Sequence, residues 1–261
     1  MIGKLMLIDL HNHTKIGSWD SKLNPDETIS LSKERGLDGI VFTEHDAVFG
    51  FKEAQSLSKK HNFMVFAGIE VNVEDGHVLV FGIDEYNDSF RKHKTLNQVV
   101  QDNNGAWIAQ HPYRRWKPHP VVLQTSDWDN ESENAKALER AKKVNLFEIS
   151  YSMDVLNGRA NIENNEFSLD LASELGMYYT ASADTHDEID IGKVATYFPK
   201  NISTYEELIK EIQQGHTWPV DLTNGSLTNY KDFCIIPNDD ELVKIWAEIK
   251  KNRVRILEEQ N

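Results

Sequence analysis

Short apolar runs rich in β-branched residues alternate with helical patterns along this chain, and that alternation limits its fold more than any other feature. Alternating strands and helices are typical of a parallel sheet. At least six such units within 261 residues favour a closed or nearly closed barrel. We therefore predict an α/β fold, a distorted (β/α)7-type barrel. The predicted strands are Leu5–Leu10, Gly39–Thr43, Met64–Ile69, Ala106–Ala109, Leu146–Ser150 and Met177–Ala181.

Helix and turn signals separate these runs. Asn24 predicts an N-cap and Pro25 the first turn of a helix that continues over Thr28–Arg35. The segment Glu70–Ile83 has an Asp-Gly pair between two β-rich runs, which predicts a hairpin. Further helices are predicted at Phe51–His61, Leu96–Asn103, Glu131–Lys143, Glu163–Leu175 and Tyr205–Gln214.

Two other segments bear on domain organisation. Residues Arg114–Asn130 form a long stretch without periodicity, which is typical of a lid or binding loop. Residues Asp239–Glu259 predict an amphipathic helix that packs on the barrel or contacts a second copy. We predict a barrel domain over residues 1–230 and a helical extension packed on it over residues 231–261. The apolar face of the extension is Leu242, Ile245, Trp246 and Ile249.

Composition limits the partners of the chain. Its formal net charge of −14 repels polyanions and makes duplex nucleic acid an unfavourable partner. The single cysteine, Cys234, provides neither a disulfide nor a thiolate zinc site, so any metal must be bound by nitrogen and oxygen. No apolar stretch approaches membrane-spanning length. We predict a soluble, cytoplasmic protein without a membrane partner; the sequence leaves its oligomeric state open.

Polar clusters follow five of the strand patterns. Barrel chemistry gathers at the carboxyl ends of the strands, so these clusters are expected to meet. His11 and His13 lie two residues apart on an extended chain and face the same side. An HxH pair alone is equally typical of a solvated turn, but buried charged groups at five strand ends require pairing or a metal. The clusters are Asp9-Leu10-His11-Asn12-His13, Thr43-Glu44-His45-Asp46, Gly68-Ile69-Glu70, Gln110-His111-Pro112 and Ala183-Asp184-Thr185-His186.

In order and spacing, these clusters resemble the motifs of the polymerase and histidinol phosphatase (PHP) family across residues 7–198. The family motifs are D-L-H-x-H, T-D-H, an isolated E, H-P and S-D-x-H. This chain departs from them at Glu44, which replaces the aspartate of T-D-H, and at Ala183, where many members have serine or glycine. The family's S-D-G corresponds here to Ser18-Trp19-Asp20, and the assignment of Asp20 depends on that alignment.

The resemblance implies three groups of metal ligands, with Glu70 shared between two of them. These groups would hold two to three divalent cations. Mixed imidazole and carboxylate donors suit Zn²⁺, Mn²⁺ or Fe²⁺. The first ion would take His11, His13, Asp184 and Glu70, the second Glu70, His77 and His111, and the third Asp20, His45 and His186.

Some polar residues near the motifs admit two interpretations. His77 begins an apolar strand and is either a ligand or a histidine hydrogen-bonded at the sheet edge. Glu44 and Asp46 are either supports for the ligands or surface carboxylates. The four remaining histidines, His61, His93, His119 and His216, are expected to be solvated; His119 is the candidate exception, because it lies in the loop after His111.

Candidate substrate contacts follow the H-P motif. Arg114 and Arg115 could bind a pair of phosphate oxygens, although adjacent arginines are often only solvated. The resemblance implies that one of them contributes, with Glu70 as the catalytic bridge between cations. Arg159 is a further candidate. Two interpretations are open for the aromatic side chains of this region: they stack on the substrate, or they pack against the rest of the protein. These residues are Trp116, Trp128 and Tyr151.

Together these features predict a metal-dependent phosphoesterase, a phosphatase that acts on small phosphorylated substrates. Bridged cations can activate water and neutralise phosphoryl oxygens. A metal-binding accessory module without activity and an amidohydrolase-type hydrolase remain as alternatives. The short interval between Glu44 and Glu70 leaves no room for an inserted cap domain, and together with the acidic charge it disfavours a nuclease.

Overall fold

Strands and helices alternate along most of the chain in the computed structural model, which describes residues 6–117, 130–150 and 152–259. The strands in these ranges are β1 (Met6–Asn12), β2 (Gly39–His45), β3 (Met64–Val73), β4 (Gly76–Phe81), β5 (Ala106–Gln110), β6 (Ser152–Asn157), β7 (Tyr178–Ser182), β8 (Val194–Phe198) and β9 (Trp218–Asp221). The α-helices there are α1 (Pro25–Glu34), α2 (Phe51–His61), α3 (His93–Asp102), α4 (Tyr113–Trp116), α5 (Asn130–Ala141), α6 (Asn145–Ile149), α7 (Ile162–Glu174), α8 (Tyr205–Gln214) and α9 (Asp239–Glu259).

The strands form one mixed sheet in the order β7-β6-β5-β4-β3-β2-β1-β8-β9. Strands β1, β2 and β3 are parallel, as are β5, β6 and β7. The β3–β4 hairpin and strands β8 and β9 add antiparallel pairs. Where the sheet meets itself, the Thr196 hydroxyl on β8 accepts from the Ala181 amide at 3.0 Å and donates to the Ala181 carbonyl at 2.7 Å. The sheet therefore curls into a single, nearly closed α/β barrel, which confirms the predicted fold.

Local signals account for many of these elements. The Asn24 side chain caps α1 by accepting a hydrogen bond from the Asp26 amide at 2.9 Å, and Pro25 occupies the first turn. Thr204 and Glu207 form a capping box at the start of α8. Helices α2, α8 and α9 have the predicted bounds, and β3 with β4 confirms the predicted hairpin.

One predicted strand is wrong. Residues Leu146–Ser150 mostly form the short helix α6, and the strand of this unit is β6, just downstream. A short apolar run does not distinguish a buried strand from a buried helix, and Asp154 interrupts the apolar pattern of β6. The segment Arg114–Asn130 begins within helix α4. Three residues considered above, His119, Trp128 and Tyr151, lie outside the described residues.

The C-terminal helix α9 packs on the sheet through its predicted apolar face. Leu242 and Trp246 are buried, and Leu242 belongs to the main hydrophobic cluster with Met153 of β6 and Leu171 of α7. The Trp246 indole donates a hydrogen bond to the Thr217 carbonyl at 3.0 Å. The domain boundary at residue 230 stays a prediction. Within the described ranges, no helix has the length and apolar character needed to cross a bilayer.

Candidate metal centre

Two histidines from the end of β1 form the middle of the site. His11 and His13 are fully buried, and their Nε2 atoms are 2.8 Å apart. They face the same side because they lie two residues apart in extended backbone. Two imidazole nitrogens at this distance cannot both carry protons without repulsion. The pair is therefore suited to face a common cation.

Glu70, in the second half of β3, lies between two groups of imidazoles. Its Oε1 atom is 2.8 Å from His77 Nδ1 and 3.0 Å from His111 Nε2. Its Oε2 atom is 2.7 Å from His45 Nδ1 and 3.3 Å from Nε2 of both β1 histidines. This is a suitable position for a carboxylate shared by two ions, although ligation itself stays a prediction.

Asp184 and His111 reach the site from uncommon backbone conformations. Their φ angles are 54° and 25°, in the left-handed region that residues other than glycine rarely adopt. Asp184 Oδ1 lies 3.6 Å from Nε2 of both His11 and His13. Backbone strain of this kind concentrates at functional sites. Here it accompanies two of the predicted ligands.

A third group of side chains lies on the solvent side of the site. Asp20 Oδ2 is 3.2 Å from His45 Nε2 and 3.1 Å from His186 Nε2. The Asp20 side chain is 29% exposed, whereas Glu70 and Asp184 are buried. All nine side chains predicted as ligands therefore meet at one edge of the sheet, where the parallel strands end and β4 begins.

The donor set fits divalent cations. Glu70 Oε2 and Asp184 Oδ1 are buried and face imidazole nitrogens, at 2.7 to 3.3 Å and at 3.4 to 3.6 Å respectively. Burying such oxygens without compensation is costly, and a cation would compensate both. The site contains three sets of residues, and within each set the possible ligand atoms all lie within 4.8 Å of one another. The sets are His11-His13-Glu70, Glu70-His77-His111 and His13-His45-His186. His13 thus borders the predicted third site as well as the first.

The electrostatics favour the ligand forms of most of these groups. Burial opposes ionisation of the Glu70 and Asp184 carboxyl groups, but nearby imidazoles outweigh it and hold both pKa values well below the usual range. At Asp184 the charge of Arg114 acts in the same direction. Burial and the Arg114 charge lower the pKa of His111 to about 4. Burial also disfavours the charged form of His13, but Asp184 and Glu70 outweigh it and raise that pKa to about 9. His13 must therefore lose a proton to bind a metal.

The two adjacent arginines differ in position. Arg114 forms an ion pair with Asp184, and its Nη1 atom lies 3.4 Å from His111 Nε2. Arg115 instead donates a hydrogen bond to the Glu74 carbonyl at 2.7 Å. The structure therefore places Arg114 at the site and Arg115 against the turn between β3 and β4. Residue type and spacing alone could not show which of the two arginines lies at the site.

Glu44 is fully buried and supports a predicted ligand. It accepts hydrogen bonds from the hydroxyls of Thr14 and Ser18, both at 2.5 Å. Ser18 Oγ lies 2.9 Å from His13 Nδ1, so these contacts fix the imidazole from behind. A Cβ atom at Gly17 would lie 2.4 Å from Glu44 Cγ, so only glycine fits there. The departure from T-D-H marked Glu44 in the sequence, whereas nothing there marked Ser18 as a support.

The other polar candidates pair with residues that are not predicted ligands. His93 was expected to be solvated but is buried beside Glu74 and Asp75, because it opens helix α3 and faces inward. Arg159 Nε lies 3.9 Å from Asp190. His61 pairs with Asp26 at 2.5 Å, His216 with Glu211 at 3.0 Å and Asp46 with Arg91 at 2.9 Å.

The barrel and its strand-end histidines define a known class of protein. The PHP domain family model matches residues 9–217, and the chain belongs to this family. The resemblance drawn from the sequence motifs is thereby confirmed.

Curated relatives share shorter segments. The PolC-type DNA polymerase III of Oceanobacillus iheyensis is 31% identical over 87 residues, which are 32% of this chain and 6% of the polymerase. The phosphoribosyl 1,2-cyclic phosphate 1,2-diphosphodiesterase of Eggerthella lenta is 29% identical over 86 residues, which are 31% of this chain and 32% of that enzyme. The matches thus span less than a third of either protein.

Among solved structures, PsfC from Pseudomonas syringae has the same fold. The TM-score is 0.54 at 16% sequence identity, and the superposition covers 97% of this chain and 99% of PsfC. At this identity the likeness shows the fold alone.

Proposed function

We propose that this protein hydrolyses small phosphate esters with a cluster of two to three divalent cations, Zn²⁺, Mn²⁺ or Fe²⁺. The observation that carries the proposal is Glu70, whose two oxygens face different sets of imidazoles at 2.7 to 3.3 Å. A carboxylate between two neighbouring cations is typical of two-metal phosphoester hydrolysis. We assign as ligands the nine residues that the sequence motifs indicate.

Bound cations would supply Lewis-acid polarisation of the phosphoryl group and activation of water. The ionised carboxylates of Glu70 and Asp184 would balance the cationic charge. Arg114, beside Asp184, would donate hydrogen bonds to phosphoryl oxygens and orient the ester. Glu44 and Ser18 keep His13 in place, so that the ligands need little rearrangement during the reaction.

A cavity of about 260 Å³ adjoins the site and supports a small substrate. Its lining includes the polar residues His77, His111 and Arg114 and the apolar residues Trp116 and Phe147. This volume lies just below the usual range for small-molecule pockets, which begins at about 300 Å³. The net charge of −14 repels long polyanions. We therefore propose a small phosphorylated substrate in preference to duplex nucleic acid.

The two alternatives explain the site less well. An inactive accessory module would not need nine converging ligand candidates. An amidohydrolase acts on a carbonyl with one developing oxyanion, whereas three groups of ligands suit a phosphoryl group with charge on several oxygens. The name of the Eggerthella lenta relative adds a phosphodiester to the substrates that require testing.

The test uses protein loaded with Mn²⁺ or Zn²⁺ and measures cleavage of p-nitrophenyl phosphate and bis-p-nitrophenyl phosphate, beside a lactone and an amide. Glu70→Gln should abolish cleavage, and Glu211→Gln, a buried glutamate paired with His216 outside the site, should not. Cleavage of the lactone or amide with both esters spared would replace the proposal with the amidohydrolase. Full metal content without any activity would favour the accessory module.

A further inference from the structure

A series of buried polar side chains connects β6 to His11 behind the metal centre. Asp154 Oδ1 on β6 lies 3.0 Å from Ser182 Oγ on β7. Ser182 Oγ lies 3.2 Å from Gln110 Oε1 on β5, and that oxygen lies 3.2 Å from His11 Nδ1. The four residues are at most 3% exposed. The series therefore runs through the interior of the barrel from a residue without a role so far to a predicted ligand.

The number of protons fixes the direction of these hydrogen bonds. Ser182 has one hydroxyl proton, yet an ionised Asp154 and the Gln110 oxygen would both need it. With the Gln110 oxygen facing Ser182, as in the structure, both contacts are hydrogen bonds only if Asp154 is the neutral acid, which donates to Ser182 while Ser182 donates to Gln110. Asn157 Nδ2 donates to the other Asp154 oxygen at 3.1 Å, which leaves Oδ1 for the proton. Burial raises the pKa of Asp154 well above its ordinary value, in agreement.

The last contact sets the tautomer of His11. Gln110 Oε1 can only accept, so His11 Nδ1 must carry the proton. His11 Nε2 is then unprotonated, 3.3 Å from Glu70 Oε2, as a metal ligand requires. With the opposite orientation of its amide, Gln110 would donate to Nδ1 and place the proton on Nε2, where it would exclude a cation.

We propose that Asp154 is a positioning residue that, as a neutral carboxylic acid, acts through Ser182 and Gln110 to hold His11 in the metal-binding tautomer. The proposal rests on the metal binding of the proposed function and is independent of its substrate. Mutation of a residue that hydrogen-bonds to a metal ligand commonly lowers metal affinity by about 10- to 100-fold. The effect is therefore expected in metal affinity itself.

The experiment measures the apparent Zn²⁺ affinity of the full-length apoprotein by competition with a chromophoric chelator. Asp154→Asn can donate to Ser182 and accept from Asn157 as the neutral acid does, so its affinity should match the wild type. Asp154→Ala and Ser182→Ala break the series and should weaken Zn²⁺ binding by about 10- to 100-fold. Thr180→Val is the matched control, because it removes a buried hydroxyl of β7 that donates to the Met153 carbonyl instead.

Melting temperatures of all variants are measured first, so that affinity is compared only between folded proteins. If Asp154→Ala does not fold, Ser182→Ala carries the test. Unchanged affinity in Ser182→Ala overturns the proposal. A loss in Asp154→Asn as large as in Asp154→Ala also overturns it, because the carboxylate would then act as an anion. The assay contains no ester, so failure of phosphoesterase activity and failure of this inference are separate outcomes.

Discussion

Arg114 on α4 and Asp184 after β7 form an ion pair inside the candidate metal centre. The same guanidinium approaches His111, another predicted ligand. A phosphoryl group bound at the centre would share these N–H donors, and Arg114 would then connect the ligand set to the substrate. Arg115 instead donates a hydrogen bond to the Glu74 carbonyl, and its contribution stays a prediction.

We predict that Arg114→Ala lowers kcat/KM for p-nitrophenyl phosphate by about 10²-fold, the usual effect of losing one donor to a developing oxyanion. Arg115→Ala is the matched control and should remain close to the wild type. Initial rates with Mn²⁺-loaded protein provide the comparison. Equal losses in both variants would show that the position of Arg114 does not matter for the reaction.

We predict that Glu70→Gln lowers turnover more than Asp20→Asn. Glu70 is buried between two groups of imidazoles, whereas Asp20 contacts only the outer pair, His45 and His186. Asp20→Asn should lower turnover to a smaller extent, because Asp20 is a predicted ligand of the third, more exposed ion alone. Metal content and rates are measured on the same preparations. Equal losses would make the ranking of the sites wrong.

The barrel could be predicted from the sequence because alternation of strands and helices is a local pattern, repeated from β1 to β7. Strand β6 escaped detection because Asp154 lies in its middle. That carboxyl is tolerated there only through Ser182 and Asn157, contacts that exist once the chain has folded. Strands β8 and β9 are short and pair antiparallel with distant partners, which no local pattern indicates.

The predicted ligands were visible for a similar reason. Residue type and position at a strand end were sufficient to predict that His11, His13 and Glu70 lie close together, as they do in the structure. Their supports were not visible, because Ser18 and Gln110 are ordinary polar residues until the fold places them behind the imidazoles. Supports of this kind are identified only from three-dimensional contacts.

We predict that Gly17→Ala destabilises the protein by about 1 to 3 kcal/mol, the usual cost of overpacking. The added methyl group would overlap Glu44, which in turn holds Ser18 and His13. Both the melting temperature and the Zn²⁺ affinity should therefore fall. Ser30→Ala, on the exposed side of α1, is the control and should change neither. An unchanged melting temperature in Gly17→Ala would contradict the fit of Glu44 against the backbone.

The final prediction concerns protons released when a metal binds. The pKa of His13 is raised from 6.5 to about 9 because Asp184 and Glu70 outweigh its burial. Protonated His13 therefore stabilises the metal-free protein fully below the unfolded pKa of 6.5, and this stabilisation is lost as the pH rises through about 9. A cation must displace that proton, so Zn²⁺ should bind more tightly as the pH rises towards 9.

Calorimetric titration with Zn²⁺ in buffers of different ionisation enthalpy measures the number of protons released. Near neutral pH the number should include one proton from His13, and this contribution should disappear above about pH 9. His216→Gln, which alters a histidine outside the site, should behave as the wild type. Proton release that does not change between neutral pH and pH well above 9 would show that His13 is not the group displaced by the metal.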